Sequence, residues 1–456
     1  MKTNELRTTF LKYVFFSILS SIGVSFYILI DTFFISLGMG ADGLAALNLC
    51  LPVFNFINGF GLMLGMGGGS KFSMLYCRIE RAETDKIFTS TFWSALCIGA
   101  VFMLAGIFFS EQLTVLLGAD EAIFAQAHSY LKIVLLFAPA FILNNVLVCF
   151  MRNDGAPKLA TAAILGSSYA NIILDSLFIF VLDWGMEGAA LATCLSPLIS
   201  MAIMSIHFLT GWNAFKLRVM RPSVKMIRNI VSLGLPTFLT ECSGGIVIII
   251  FNYLIYRLCG NTGIAAYGVI ANLAIVFTAV FTGLSSGVQP LLCKYHGKKD
   301  AGALRFLLRL SIRAALFLAL LSYAGICLNA GALVSVFNGQ NDAALAEIAQ
   351  SGLKLYFLFM PFMGINSVLS VYFTSREKPH PSQVISLLRG TVLVIPIAFI
   401  FYGMRSISGI WLTVPIAEAL TAVTAAVMLA LMRKPFRLKV NGYLSGQQPG
   451  STQHFN

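Results

Sequence analysis

Charge is what this chain has least of. Of its 456 residues only 11% are Asp, Glu, Lys or Arg, while 58% are hydrophobic; an ordinary soluble domain carries about 25% charged residues. A water-soluble enzyme or nucleic-acid binder is thereby excluded. The nine Cys, at 50, 77, 97, 149, 194, 242, 259, 293 and 327, include no CxxC and have no companion His spacing, which argues against a structural zinc site or a redox motif. The amino-terminal MKTNELRTTFLKYVFF runs into an apolar stretch with no small-residue cleavage site, so that stretch reads as a retained first span.

What the chain does have is long apolar runs. A transmembrane helix needs about 20 such residues to cross about 30 Å of hydrocarbon. Spans are expected at 13–36, 47–74, 88–109, 127–150, 160–182, 187–209, 230–256, 264–292, 308–330, 351–374, 383–403 and 409–432. With twelve spans the basic residues alternate cleanly between successive connections: 27 of the 31 Lys and Arg, all except Lys132, Arg257, Lys354 and Arg405, fall on one side. That side is the cytoplasm by the positive-inside rule, and both termini belong to it. The net charge of +12 is accounted for by orientation in the bilayer, without a nucleic-acid partner. The polar tail NGYLSGQQPGSTQHFN is expected to be disordered.

The two halves resemble each other. At an offset of 222 residues, LKIVLLFAPAFILNNVL (131–147) lies over LKLYFLFMPFMGINSVL (353–369), and Pro157 over Pro379; at 220, GLAAL (43–47) lies over GIAAY (263–267), and Gly67 over Gly287. Six spans per copy keep both copies in one orientation, so the expected fold is an all-α polytopic membrane protein. Its twelve helices form two six-helix lobes related by a parallel pseudo-two-fold repeat. The divisions expected are an amino-terminal lobe, 1–209; a cytoplasmic linker, 210–229; a carboxy-terminal lobe, 230–432; and a cytoplasmic tail, 433–456. Pro52, Pro139, Pro236, Pro361, Pro396 and Pro415, with the glycines of GMGGGS (65–70), offer kinks.

Ionisable groups inside spans are costly and therefore informative. Four acids lie there, Asp31, Asp175, Glu241 and Glu418, with no basic residue expected at mid-span to neutralise them. Asp31, Asp175 and Thr193 all fall about 8 to 11 Å below the outer boundary at 1.5 Å per residue, and Asn171 shares a helix face with Asp175. If their helices are neighbours, Asp31, Asn171, Asp175 and Thr193 form an oxygen-rich cluster able to coordinate a small hard cation or to exchange a proton. Glu241 and Glu418, near the midplane of the other lobe, are read as substrate-binding or auxiliary groups.

ILIDTFFISLGMGADGLAALNLCLP (28–52) and NIILDSLFIFVLDWGMEGAALATCLS (171–196) resemble the first-span and the fifth-to-sixth-span signatures of multidrug and toxic compound extrusion (MATE) transporters, in their bacterial and archaeal branch. The resemblance implies two lobes around a V-shaped chamber in the cell inner membrane. It also implies export of hydrophobic organic cations and other amphipathic compounds, driven by inward H⁺ or Na⁺ flow, without an organic cofactor. The family's amino-lobe cation site maps onto Asp31, Asn171, Asp175 and Thr193, and its span 7 acid onto Glu241. Span 10, YFLFMPFMGINSVLSVYFTS, lacks the Asp that some members carry. A monomer is expected.

Rival readings predict other residues. A flippase for a lipid-linked substrate calls for a basic cavity, and none is expected here. A major-facilitator carrier calls for a basic-glycine loop after span 2, where this chain has YCRIERAETDK. An intramembrane enzyme calls for a nucleophile with a base, yet His128, His207, His296, His380 and His454 fall in loops, near span ends or in the tail.

Overall fold

The computed structural model describes residues 2–76, 81–211, 213–218, 220, 223–337 and 343–433. Every regular element among them is helical, as it must be where no water exists to satisfy backbone N–H and C=O groups. Spans 1 to 12 are Asn4–Gly40, Asp42–Tyr76, Glu83–Leu116, the bent pair Phe124–Leu136 and Ala138–Asn153, Pro157–Val181, Gly185–Leu209, Val224–Gly260, Thr262–Gly297, Ala301–Ser335, Ala343–Thr374, Pro379–Gly403 and Ile407–Met432. The twelve expected spans are all present, many of them longer than expected. The 37 residues of span 1 rise about 55 Å, so this helix stands well clear of the hydrocarbon. The tail lies outside the described residues, as do Cys77, Arg78, Arg221, Asp342, Lys434, Arg437 and Lys439 and the side chains of Lys2, Arg81 and Arg433.

Between spans 1 and 2 the expected loop shrinks to a single reversal at Gly40, with φ 68° and ψ −152°, and between spans 7 and 8 to one at Gly260, with φ 61° and ψ −152°. Only glycine occupies that region readily. The two residues are 220 positions apart, the offset that overlays GLAAL on GIAAY, so the sequence repeat is also a repeat of backbone conformation. Prolines matching at 222 repeat a second feature. Span 4 bends by 51° just ahead of Pro139, and span 10 narrows to a 3₁₀ turn at Phe357–Phe359 just ahead of Pro361. Pro52, Pro236 and Pro415 sit within uninterrupted helices.

The largest buried cluster draws on residues 35 to 230 and the next on 251 to 417. The halves meet along spans 1 and 8 and along spans 2 and 7. Gly67 lies on the backbone carbonyl of Ile230, Gly234 on that of Met63, and Gly287 on Tyr13 and Val14. The glycines of GMGGGS therefore do not kink span 2; they remove the side chains that would hold two helices apart, as small residues do at membrane helix interfaces.

Going outward along spans 2 and 7 the contact loosens. A Cβ at Gly59 would stand 3.1 Å from Phe238, one at Gly245 would stand 3.7 Å from Asn55, and one at Gly244 would meet nothing within 4 Å. The interface is thus sealed at the end carrying the amino terminus and parts toward the other.

Buried polar groups reinforce the seal. The Gln289 amide of span 8 donates to Ser70 Oγ at 2.6 Å and accepts from Asn153 Nδ2 at 3.1 Å, both in the first half. Lys71 pairs with Glu377 across the same end.

The connection after span 6 is strapped to the first half. Phe215 is fully buried against Phe72, Phe88, Phe150 and Phe208. Asp85 accepts from Lys216 N at 2.9 Å and Arg218 Nε at 2.6 Å. Asp154 Oδ2 lies 2.8 Å from His207 Nε2 and accepts from Ala214 N at 3.0 Å. Burial pushes the Asp154 carboxyl above its ordinary range, while these hydrogen bonds hold it back.

Candidate cation and substrate site

Three close approaches set the heights of the four oxygen-bearing residues of the first half. Spans 1 and 5 run parallel, with Gly23 against Leu165 and, two turns past Asp31, Gly38 against Ile179, where an added Cβ would stand 2.6 Å from the Ile179 side chain. Interpolation places Asp31 opposite residues 172 and 173, between Asn171 and Asp175. Spans 5 and 6 run antiparallel, with Gly188 against Phe178, where an added Cβ would stand 2.9 Å from the Phe178 side chain. Moving five residues up one helix and down the other brings Thr193 to the same level. Spans 1, 5 and 6 are therefore neighbours, as the expected cluster requires.

All four side chains are buried, Asn171 and Asp175 completely. The Asp31 and Asp175 carboxyls lie within hydrogen-bonding reach of each other, but two carboxylates have no proton to share. Asp31 Oδ1, both Asp175 oxygens, both polar atoms of Asn171 and Thr193 Oγ1 find no hydrogen-bond donor or acceptor. These are six of the sixteen such buried side-chain atoms among the described residues, so the shortfall is concentrated in one place. Each such group costs about 1–3 kcal/mol if left unpaired. A proton between the carboxyls, or a small hard cation among the carboxylate, amide and hydroxyl oxygens, would relieve most of that cost. No cluster of three or more His, Cys, Asp or Glu suited to a metal occurs among the described residues. The phenols of Tyr27 and Tyr130 lie close enough to feel both carboxyl charges. Tyr27 had a sequence signal, its spacing of four from Asp31; Tyr130, on a different span, had none.

Glu241 sits where spans 2 and 7 part, with its Cβ 3.6 Å from a Cβ placed at Gly59. Its neighbour Cys242 lines a small, mostly apolar cavity with Pro52, Asn55, Phe56 and Ile246.

Glu418 differs from the expectation. Arg389, placed by sequence among the cytoplasmic basic residues, lies within span 11 and binds Glu418 Oε1 through Nε at 2.9 Å and through its terminal nitrogen at 2.7 Å. Asn366 Nδ2 donates to Glu418 Oε2 at 2.6 Å. The side chains of the pair are only 10% and 5% exposed. A mid-span basic partner therefore does exist, and Glu418 is not available as an unpaired acid. The pairing joins spans 10, 11 and 12, which no spacing along the chain could reveal.

The MatE family model matches residues 17–177 and 236–400, one stretch in each half. The chain is 28% identical over 409 residues to the multidrug export protein MepA of Staphylococcus saprophyticus, covering 89% of this chain and 90% of that one. It is 26% identical over 422 residues to MepA of Staphylococcus aureus, covering 92% of each. Among solved structures, it superimposes with a TM-score of 0.88 and 22% identity on a multidrug resistance MATE transporter of the MOP superfamily in an outward-facing conformation, covering 94% and 97% of the two chains. A MOP superfamily transporter from Pyrococcus furiosus aligns with a TM-score of 0.87 and 21% identity, covering 94% and 96%. From the two matched stretches and the shared twelve-span fold, this chain belongs to the MatE family of multidrug and toxic compound extrusion transporters, and is a multi-pass membrane transporter rather than an enzyme.

Proposed function

We propose that this protein is a cation-coupled antiporter that exports hydrophobic, cationic compounds by alternating access, with H⁺ or Na⁺ entering at Asp31 and Asp175. The observation that carries the reading is the juxtaposition of two buried carboxyls with an amide and a hydroxyl, six of whose polar atoms lack partners among the described residues. A ligand shifts a conformational equilibrium only as far as it binds one state better than the other. The cation does so here by joining spans 1, 5 and 6 at one level, neutralising the carboxyls and favouring the arrangement that lets the compound go.

The amino-terminal lobe, 1–209, and the carboxy-terminal lobe, 230–432, are the moving bodies in this reading. Of the connection 210–229, the part fastened by Phe215 and Arg218 travels with the first lobe, while from Val224 onward the chain is already helix of span 7. The protein works as a monomer in the inner membrane with both termini in the cytoplasm. Glu241, beside the parting of spans 2 and 7, meets the positive charge of the exported compound; the MepA relatives, named multidrug export proteins, support drugs as the cargo. The flippase reading loses support, because the guanidinium found in the second half is already engaged by Glu418.

Purified protein in vesicles, given a Na⁺ gradient or a pH gradient separately, tests the reading. One gradient should drive movement of a cationic dye. Asp31→Asn and Asp175→Asn should each lower gradient-driven movement by about 5- to 150-fold, the usual range of coupling between two sites. Unchanged movement in both variants would remove the role assigned to the pair.

A further inference from the structure

The two halves treat buried acid in opposite ways. In the first half no side chain with a positive charge contacts Asp31 or Asp175 among the described residues, and Asp31 Oδ1 and both Asp175 oxygens lack donors. In the second half the residues at the repeat offsets are Phe251 for Asp31, Leu393 for Asn171, Ile397 for Asp175 and Pro415 for Thr193. All are apolar, and the first three pack in one core cluster. The polar group of this half has moved one turn along span 12, to Glu418.

There both carboxylate oxygens are bonded, Oε1 by Arg389 and Oε2 by Asn366, and Arg389 donates in addition to Ser367 Oγ at 3.1 Å. A guanidinium cannot lose its proton under these conditions. Held by its own helix and by two acceptors, it is not exchanged by a change of pH or of Na⁺.

We propose that Arg389 is a tethered cation that does permanently in the second half what an exchangeable cation does at Asp31 and Asp175 in the first, so that coupling ions enter and leave through one half of the molecule alone. This rests on the coupling reading above. It assigns Arg389 a positioning role: it keeps Glu418 neutralised through the whole cycle. Glu418 is then withheld from coupling ions and cationic cargo alike, and Glu241 is left as the acid of that half for the compound.

The test counts cations bound by purified protein in detergent, using tracer Na⁺ and the protons released on its addition or on a pH jump. The parent protein should show binding that Asp31→Asn with Asp175→Asn abolishes and that Glu418→Gln leaves intact. Arg389→Met should take up an additional Na⁺ or proton, lost again in Arg389→Met with Glu418→Gln. Arg389→Lys, which retains a tethered charge, should show no additional uptake. A structural role alone would alter melting temperature without adding a Glu418-dependent cation.

Arg389→Met folding with unchanged cation uptake would overturn the proposal. So would Glu418-dependent binding in the parent or in the Asp31→Asn, Asp175→Asn protein, a result that stays informative if Arg389→Met does not fold. Binding that survives loss of Asp31 and Asp175 but is indifferent to Glu418 overturns the coupling reading, and the proposal with it. An Arg389→Met gain in the absence of any parental binding would uphold Arg389 as the group that neutralises Glu418, but would overturn the coupling reading and with it the assignment of ion traffic to the first half.

Discussion

A phenylalanine in a connecting segment ordinarily faces water, yet Phe215 is enclosed by four other phenylalanines from spans 2, 3, 4 and 6. Removing a buried ring costs about 3–5 kcal/mol, so Phe215→Ala should lower the unfolding temperature in detergent markedly. Leu217→Ala, at a residue 50% exposed, should shift stability by no more than about 0.5 kcal/mol. Equal melting of the two variants would show that the socket does not anchor the connection. At the same scale, Glu241→Gln should depress export of a cationic compound while sparing a neutral one of similar size, read as a ratio of efflux rates. The acids themselves were legible, since an unpaired carboxyl in an apolar run stands out against 19 Asp and Glu in the whole chain. The state of Glu418 was not legible, because its neutralising partner comes from a different helix.

Helices were the easiest elements to foresee, since a long apolar run has no other stable form in hydrocarbon. Their ends were misjudged, because hydropathy reports the bilayer and not the helix: the chain stays helical beyond the hydrocarbon until Gly40 or Gly260 reverses it. Any side chain at φ near 60–70° with ψ −152° is strained by about 1–3 kcal/mol. Gly40→Ala and Gly260→Ala should therefore each destabilise the protein by similar amounts, as thermal unfolding would record. A large loss at one and none at the other would argue that the two reversals are not equivalent. Spans 5 and 6 illustrate the limit of pattern reading. Depth arithmetic brought Asp31, Asp175 and Thr193 to one height, but only the contacts of Gly23, Gly38 and Gly188 make their helices neighbours.

For the molecule as a whole, the seal between halves at the end bearing the amino terminus is the feature that alternating access must undo. Gln289 is its centre, 2% exposed and bonded to Ser70 and Asn153 in the opposite half. Gln289→Ala should loosen that end and speed maleimide labelling of the buried Cys293 one turn away; labelling no faster than in the parent would mean that the amide is not holding the seal. The sequence by itself determined the number of spans, the duplication, the side rich in Lys and Arg, and the level of the acidic cluster. Each follows from the cost of moving charge and backbone into hydrocarbon, which every residue meets alone. The tertiary structure alone decided that Asp31 and Asp175 face each other, that Arg389 neutralises Glu418, and that glycines join the halves instead of bending the spans. Those outcomes depend on which helices touch, and packing between helices in a bilayer turns on shape and hydrogen bonding rather than on hydrophobicity.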